Sequence, residues 1–461
     1  MRIYRDKLEL VVLYETGEEA LKGPPVTFDK KSKSWRLLPM YYYELKRKAE
    51  LLGIKINSNL HENFSLSENL ASKLKRNYVL REYQTDAVKK LSSNNWRGVI
   101  VLPTGAGKTL IGLEAIFRLR LRTLIVVPTL DLMNQWFSRL IVLLGIPRSL
   151  IGLYGGGKYN IREITIVTYA SAHKKEFLDR ALDRFGLVIF DEVHHLVGEL
   201  NREIAKRLIA FHRIGLTATP GEKDKVKILE ALVGPIFKVA TFKDLASRGY
   251  LADFDYKRVY IKLTDEEAER YKALMNVYIN YVSSIQAKDE VERFRELVKR
   301  SVKEREARDA LLARIEAKDI ALRAKMKMKV LEDLLKRHRM DKVIIFTRHV
   351  EVAKYISAML GIPYITGDMD KKKRREILKM FERGEVTKIV TAEVLDEGVD
   401  LPSASVGIIL AGRPSKRQLI QRIGRLLRPK EGKKAKIYEV ITRATYDYFA
   451  SRKRRIKFDE L

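Results

Sequence analysis

The sequence of 461 residues contains no cysteine and no long apolar run. Without cysteine, neither a disulfide framework nor a thiolate metal site is possible. Apolar runs such as residues 140–146 fall far short of the roughly 20 residues that a membrane-spanning helix requires. The amino-terminal residues are interrupted by charges and lack the apolar core of a signal peptide. These absences predict a soluble, cytoplasmic protein without a membrane partner.

Acidic residues are too few to balance the basic ones. The chain has 59 aspartates and glutamates against 90 lysines and arginines, which gives a formal net charge of +31. Of this excess, +12 falls on residues 71–240 and +14 on residues 326–461. Because the excess lies on two long stretches and not on a terminal tail, it predicts a polyanionic partner. Charge alone leaves open the alternative of a basic protein without such a partner.

Short apolar, β-rich segments alternate with helical stretches twice along the chain. The first series comprises residues 98–103, 123–128, 164–169, 187–192 and 214–219. The second series comprises residues 342–348, 363–367, 387–393, 406–412 and 435–442. Strands that alternate with helices predict parallel sheets covered on both faces, so the fold class is α/β with two tandem lobes. Ligands of such sheets bind at the carboxyl ends of the strands.

We place the two lobes at residues 66–240 and 326–450. The remaining regions have different patterns of apolar and charged residues. Residues 1–65 combine an alternating apolar pattern with one amphipathic helix, which predicts a small α+β domain. Residues 241–325 carry an apolar stripe at helical spacing among charges of both signs. This pattern predicts a helical insertion, either a projecting arm or a solvated spacer. Residues 451–461 form a basic tail.

A glycine-rich loop follows the first strand of the first lobe and precedes a helical stretch. It consists of Pro103, Thr104, Gly105, Ala106, Gly107, Lys108 and Thr109. Its glycines let backbone amides curl around phosphates at a helix N-terminus. Lys108 would reach the β- and γ-phosphates and Thr109 would ligate Mg²⁺. Although Leu102 stands where the strict motif has its first glycine, the context predicts an ATP-binding loop.

An acidic pair, Asp191 and Glu192, ends a later strand of the same lobe. Asp191 suits Mg²⁺ binding, and Glu192 suits activation of an attacking water. The neighbouring His194 and His195 suggest zinc as an alternative, but no cysteine and no third ligand cluster accompanies them. With the phosphate loop upstream, nucleotide hydrolysis is the better interpretation.

A basic stretch of the second lobe contains Gln421, Arg425 and Arg428. The two arginines are three positions apart and would share one face of a helix. Directed at a nucleotide held by the first lobe, they would act as arginine fingers. The alternative is a basic helix on a solvated surface.

The order of these motifs resembles that of superfamily-two helicases, which have two RecA-like lobes. Further matching segments are residues 81–84, 128–130, 168–169, 217–219, 345–348 and 395–400. The resemblance implies that Arg81 and Gln84 bind the nucleotide, with Gln84 contacting the adenine. It also implies that Gly398 and Asp400 belong to the nucleotide site and that Gln421 joins the catalytic arginines.

The same resemblance assigns tasks to the strand-end segments of the first lobe. Residues 128–130 and 168–169 would grip a nucleic-acid strand. Residues 217–219 would couple hydrolysis to lobe movement.

Four segments are similar to archaeal XPB-type DNA repair helicases, namely residues 101–105, 189–196, 345–349 and 394–398. The resemblance implies a DNA-dependent ATPase and 3'–5' DNA helicase that uses ATP and Mg²⁺ to open or remodel duplex or forked DNA. It further implies nucleotide excision repair with a structure-specific nuclease, an N-terminal domain that senses DNA distortion, and a thumb-like insertion. In a prokaryote such a protein would associate with the nucleoid.

The chain departs from that family after residue 219, where an Arg-Glu-Asp element linked to strand separation is expected. Residues 220–224 lack arginine, and Lys223 does not offer the planar fork of a guanidinium. Two alternatives therefore stay open. One is an ATP-switched DNA clamp that positions a nuclease with little unwinding, and the other is an RNA helicase.

Overall fold

The computed structural model describes residues 1–13, 25–250, 254–392, 404–410 and 435–453. They form two compact units, one containing residues 1–244 and the other beginning at residue 245. The first unit holds a five-stranded and an eight-stranded sheet, and the second holds a six-stranded sheet. Among the described residues, no helix combines the length and apolarity that crossing a bilayer requires.

The N-terminal sheet is mostly antiparallel and carries one helix. Its elements are β1 (Arg2–Asp6), β2 (Glu9–Leu13), β3 (Val26–Asp29), β4 (Ser34–Leu37), α1 (Tyr42–Leu51) and β5 (Asn57–Ser58), in the strand order β3-β4-β2-β1-β5. Leu45 of α1 belongs to one apolar cluster with Ile3 and Leu10, and all three are buried. Leu182 and Ile209 of the following lobe belong to the same apolar cluster, so this small domain is packed firmly on the lobe.

The first lobe alternates strands with helices, as its sequence predicts. Its elements up to the fifth strand are α2 (Glu68–Ala71), α3 (Glu82–Ser93), β6 (Arg97–Val101), α4 (Lys108–Leu119), β7 (Thr123–Val127), α5 (Leu130–Leu144), β8 (Ile151–Gly155), β9 (Lys158–Tyr159) and β10 (Ile164–Thr168). It continues with α6 (Tyr169–Ala172), α7 (Lys175–Ala181), β11 (Leu187–Asp191), α8 (Glu199–Lys206), β12 (His212–Thr217), α9 (Lys223–Leu232), β13 (Ile236–Lys238) and α10 (Phe242–Ser247). The strand order is β13-β6-β12-β11-β7-β10-β8-β9, with only β9 antiparallel.

Burial and capping explain these elements. Every residue of β7, β10 and β11 is buried, which is typical of parallel strands with helices on both faces. Helix α5 begins where Thr129 Oγ1 accepts a hydrogen bond from the amide of Leu132. It ends at Gly145, whose φ of +69° suits the left-handed residue that follows many helices.

The second unit is a parallel sheet with a helical insertion. Its elements are β14 (Phe254–Ile261), α11 (Asp265–Ser283), α12 (Glu290–Arg300), α13 (Arg305–Arg323), α14 (Lys325–Arg337), β15 (Val343–Thr347), α15 (Val350–Leu360), β16 (Tyr364–Ile365), α16 (Lys371–Arg383), β17 (Lys388–Ala392), β18 (Val406–Ile409), β19 (Ala435–Thr442) and α17 (Tyr446–Lys453). The strand order is β14-β19-β18-β15-β17-β16, and every pairing is parallel.

The structure differs from the sequence prediction within residues 241–325. Strand β14, placed by sequence in the helical insertion, pairs with β19 along its whole length of 8 residues. One of the charged residues on β14, Arg258, has a partner on the neighbouring strand. Arg258 Nε lies 3.1 Å from Glu439 Oε2, and the Tyr256 hydroxyl donates to the same oxygen. In the sequence, an edge strand with one polar face has the same mixture of apolar and charged residues as a solvated segment.

A second difference concerns the predicted basic tail that starts at residue 451. Helix α17 continues to Lys453, and Ser451 within it is only 2% exposed. The helix is anchored where Asp447 Oδ2 accepts a 2.6 Å hydrogen bond from Lys327 Nζ, both side chains being buried. The second lobe therefore extends past the boundary that the sequence suggests.

Candidate nucleotide site

The glycine-rich loop lies between β6 and α4. Gly105 and Gly107 have φ angles of +86° and +73°, in the left-handed region that favours glycine. A methyl group at position 107 would lie 2.5 Å from Gln84 Nε2. Helix α4 begins at Lys108, so its first amides lack partners within the helix and face the loop. The buried Thr104 hydroxyl has no hydrogen-bond partner among the described residues. This arrangement can bind a phosphate group.

Lys108 and Thr109 open helix α4. Lys108 Nζ donates hydrogen bonds to the carbonyl oxygens of Leu102 and Pro103, at 3.2 and 3.3 Å. The Thr109 hydroxyl accepts a hydrogen bond from the guanidinium of Arg139. The ammonium group of Lys108 thus lies on the loop itself. A bound phosphate would replace the two carbonyl oxygens as its hydrogen-bond partner.

Gln84 ties helix α3 to the phosphate loop. Its side chain is 2% exposed, Oε1 accepts from the Arg81 amide at 2.9 Å, and Nε2 donates to the Ala106 carbonyl at 2.9 Å. The Tyr83 hydroxyl donates to the same carbonyl at 2.9 Å. Arg81 and Gln84 therefore lie beside the loop, and Gln84 holds the loop backbone. The adenine contact stays a prediction.

Asp191 ends β11 and is 6% exposed. Its Oδ2 accepts a 2.8 Å hydrogen bond from Trp136 Nε1, and its Oδ1 accepts from the Glu192 amide at 3.0 Å. Burial raises the pKa of Asp191, while the Trp136 hydrogen bond and the charges of Lys108 and Arg139 oppose that rise. The carboxylate is thus held in a fixed orientation within reach of two cations.

Glu192 begins a connected row of polar side chains. Its φ of +46° is uncommon outside glycine. The backbone of Glu192 therefore leaves the extended conformation of the strand that it follows. Glu192 Oε2 lies 3.4 Å from His194 Nδ1, and that nitrogen lies 3.1 Å from the Thr217 hydroxyl. The Thr219 amide donates to the same hydroxyl at 3.1 Å. The end of β11 is thereby connected to residues 217–219 at the end of β12, and His194 is engaged in that connection.

Sequence reasoning missed Trp136 and Arg139, which lie on one face of α5. Trp136 is 1% exposed and reaches Asp191, while Arg139 reaches Thr109. Gly112 of α4 makes room for the indole, because a Cβ there would lie 2.7 Å from Trp136 Cη2. A signal was available, since a buried tryptophan needs an acceptor for its N–H. Nothing local indicates which acceptor that is.

The strand order brings the first-lobe motifs to one edge of the sheet. The phosphate loop follows β6, the Thr217 segment follows β12, and Asp191 ends β11. The predicted strand-gripping segments 128–130 and 168–169 follow β7 and β10, the next two strands in the sheet. All five strands are parallel, so the motifs lie side by side at their carboxyl ends.

Five predicted site residues lie outside the described residues, namely Gly398, Asp400, Gln421, Arg425 and Arg428. Their roles stay predictions.

In the second unit, several basic side chains lie near the carboxyl end of β15. Arg348 NH1 donates to the Tyr446 hydroxyl at 3.4 Å, and Lys318 Nζ of α13 lies 5.5 Å from the centre of the Tyr446 ring. Burial and the charges of Arg348 and Arg314 lower the pKa of Lys318 to about 8. Burial, Lys318 and Arg348 lower the pKa of His349 to about 4. Within the described ranges, no carboxylate forms an ion pair with any of the three basic side chains, Arg314, Lys318 and Arg348.

Two parallel-sheet lobes in one chain, with a phosphate loop and an acidic strand end at one edge of the first, define a superfamily-two helicase with RecA-like lobes. The crystal structure of the Pyrococcus furiosus Hef helicase domain matches this fold with a TM-score of 0.51 at 21% identity, covering 81% of this chain and 98% of that chain. Residues 77–222 match the family model of the type III restriction enzyme res subunit, and residues 309–458 match the ERCC3/RAD25/XPB C-terminal helicase model.

The chain belongs to the XPB/Rad25 family. It is 38% identical to the DNA 3'-5' translocase XPB2 of Sulfurisphaera tokodaii, over 94% of this chain and 96% of that protein. It is 31% identical to the DNA 3'-5' helicase XPB of Kineococcus radiotolerans, over 82% of this chain. It is 32% identical to the putative DNA 3'-5' helicase Rad25 of Haloarcula marismortui, over 76% of this chain. These two relatives are longer, and the matches cover 62% and 50% of them.

Proposed function

We propose that this protein is an ATP-driven DNA translocase with 3'–5' polarity that opens or remodels duplex DNA. The observation that carries the proposal is the placement of Lys108, Thr109 and Asp191 at one sheet edge, in a chain 38% identical to a DNA 3'-5' translocase along nearly its whole length. This placement supports phosphate binding and hydrolysis, and the relatives' names support DNA as the track.

The loop and helix α4 would bind the nucleotide phosphates. Backbone amides of residues 105–109 and the Lys108 ammonium would hold and orient them. Thr109 and Asp191 would hold Mg²⁺, since hydroxyl and carboxylate oxygens are the hard ligands that it prefers. The buried Thr104 hydroxyl, without a partner among the described residues, fits a loop made for a ligand. When bound, Mg²⁺ neutralises charge on the β- and γ-phosphates.

Glu192 would act as the general base. Its carboxylate would accept a proton from the attacking water at one Oε atom, while the contact with His194 holds the side chain in place. The His194–Thr217 contact gives hydrolysis a physical route to residues 217–219. In this proposal Gln421, Arg425 and Arg428 complete the site from the second lobe and stabilise the charge of the transition state.

DNA would be held through its phosphates. The cations Arg348 and Lys318 lie beside the Tyr446 ring without a carboxylate partner among the described residues, which suits a phosphodiester. The excess of +14 over residues 326–461 suits the same ligand. Contacts of this kind give little sequence preference and strong salt dependence.

Repair is the setting that we propose, with a structure-specific nuclease as partner and the N-terminal domain sensing DNA distortion. Support comes from the resemblance to archaeal XPB-type helicases. A relative in Schizosaccharomyces pombe is named the XPB subunit of the general transcription and DNA repair factor IIH. The firm packing of the N-terminal domain on the first lobe supports a sensor that moves with the ATP-binding lobe.

A DNA clamp with little unwinding is a second candidate, and one departure of the sequence from the family bears on it. Where an arginine is expected after Thr219, Glu222 precedes helix α9 and Lys223 begins it. A lysine there is a point charge without the planar fork that binds phosphate in two places.

The decisive experiment is steady-state ATP hydrolysis with Mg²⁺, compared without nucleic acid and with duplex DNA, forked DNA, single strands and RNA. We expect stimulation by DNA but not by RNA, and loss of activity in Lys108→Ala with DNA binding retained. Stimulation by RNA alone would contradict the proposal. DNA-stimulated hydrolysis without strand separation on a forked substrate would favour the clamp.

A further inference from the structure

Arg139 is a cation inside the nucleotide site that the proposed hydrolysis does not use. It lies on α5, three positions after Trp136, so the two side chains share one face of that helix. Arg139 donates a hydrogen bond to the Thr109 hydroxyl, and Trp136 donates one to Asp191. Thr109 and Asp191 are the two residues expected to hold the metal ion. One helix face thus contacts both of them.

The guanidinium is held there by charge as well as by the hydrogen bond. The Asp191 carboxylate attracts the guanidinium electrostatically. A half-buried guanidinium and a buried carboxylate are costly apart and stabilise each other together.

A divalent cation bound by the same two residues would compete with Arg139. Its coordination would take a lone pair of the Thr109 hydroxyl and the charge of Asp191, both of which Arg139 otherwise engages. Two cations within a few ångströms of each other in a poorly solvated site also repel strongly. On the basis of the proposed ATPase function, we infer that Arg139 is a positioning residue. It balances the charge of Asp191 and holds the Thr109 hydroxyl until Mg²⁺ and the nucleotide bind. Arg139 then leaves Thr109 when Mg²⁺ binds with the nucleotide.

The consequence is that Arg139 sets how much Mg²⁺ the site needs. Its contacts must be given up when the metal binds, so they reduce the apparent affinity for Mg²⁺. They also keep the acidic strand end ordered without metal. Removing the positive charge should therefore make nucleotide binding more dependent on Mg²⁺. Of the two side chains Lys108 and Arg139 whose charges act on Asp191, Lys108 would then remain, and the metal would have to supply the missing charge.

The test measures binding of a fluorescent ADP analogue with Mg²⁺ and with EDTA, without DNA, so that its readout is independent of turnover. The quantity compared is the ratio of the two dissociation constants, without metal over with metal. In Arg139→Gln, which keeps a hydrogen-bond donor but no charge, we expect this ratio to rise about tenfold, within the usual range of coupling between two ligands. Arg139→Lys, which keeps the charge, should stay within about twofold of the wild type on the same scale.

A matched control is Arg148→Gln, since Arg148 is exposed in the same lobe and should leave the ratio unchanged. Should Arg139→Gln fail to fold, as judged by circular dichroism, Arg139→Met keeps the apolar stem and carries the same expectation. A ratio equal to or below that of the wild type would overturn the inference, because Arg139 would then bind phosphate beside the metal. Failure of the wild-type protein to bind nucleotide at all would instead overturn the proposed function together with the inference.

Discussion

Trp136 Nε1 donates a 2.8 Å hydrogen bond to Asp191 Oδ2, joining two residues that are 55 positions apart in the chain. The bond orients the acidic end of β11 from the middle of α5. It exists because Gly112 of α4 leaves space for the six-membered ring of the indole.

Replacing Gly112 by alanine should disturb that arrangement. The added Cβ would lie 2.7 Å from Trp136 Cη2, and overpacking of a core costs about 1–3 kcal/mol. We expect a lower melting temperature by calorimetry and slower ATP hydrolysis, because the Trp136–Asp191 bond would be displaced. Gly367→Ala is the control, since no heavy atom lies within 4 Å of a Cβ built there. A melting temperature equal to that of the control would refute the packing argument.

Glu192→Gln tests the general base. The amide keeps the size of the side chain but cannot accept a proton from water, so we expect kcat to fall by about 10²–10⁴-fold. Nucleotide affinity should change little, which fluorescence titration would check. Glu230→Gln on the exposed face of α9 is the matched control. Wild-type turnover in Glu192→Gln would remove Glu192 from the mechanism.

Leu182→Ala tests the packing of the N-terminal domain on the first lobe. Leu182 is fully buried in the apolar cluster that contains Ile3 and Leu10, and truncation of a buried leucine costs about 2–5 kcal/mol. We expect earlier thermal unfolding and faster proteolytic release of the N-terminal domain. Leu200→Ala, at a side chain that is 68% exposed, should behave like the wild type. Equal protease resistance of the two variants would show that the cluster does not hold the domain.

Lys318 should make DNA affinity depend on pH. Its pKa of about 8 in the free protein means that it carries a charge below that pH and loses it above, whereas ordinary lysines stay charged to about 10.4. If Lys318 contacts DNA phosphate, affinity should fall as the pH rises above about 8, measured by fluorescence anisotropy at constant salt. Lys318→Arg should lose this dependence, because a guanidinium stays charged. The same pH dependence in wild type and Lys318→Arg would exclude Lys318 from the contact.

The same shift affects stability with a defined sign. Between the folded pKa of about 8 and the higher pKa of an unfolded lysine, the unfolded chain binds more protons than the folded one at Lys318. The contribution of Lys318 to the free energy of unfolding therefore rises with pH across that window. Thermal unfolding of wild type and Lys318→Met from pH 7 to pH 10 would check the direction.

Strand positions in both lobes were predictable from sequence because parallel strands buried on both faces leave continuous apolar runs. The predicted segment 123–128 is β7 (Thr123–Val127), and the predicted segment 435–442 is β19 (Ala435–Thr442). Strand β14 was not predictable in this way. It is an edge strand that carries charged residues, and one of them, Arg258, has its carboxylate partner on the neighbouring strand.

The sequence by itself determined the local chemistry of this protein. A phosphate loop needs glycines at fixed positions before a helix, and an acidic pair needs a buried strand before it, so both leave short patterns. Tertiary structure alone decided which distant side chains complete the site. Trp136 and Arg139 contact Asp191 and Thr109 because the strand order places α5 beside α4 and β11. Contacts across 30 and 55 positions depend on how helices pack on the sheet, and no spacing in the sequence records that packing.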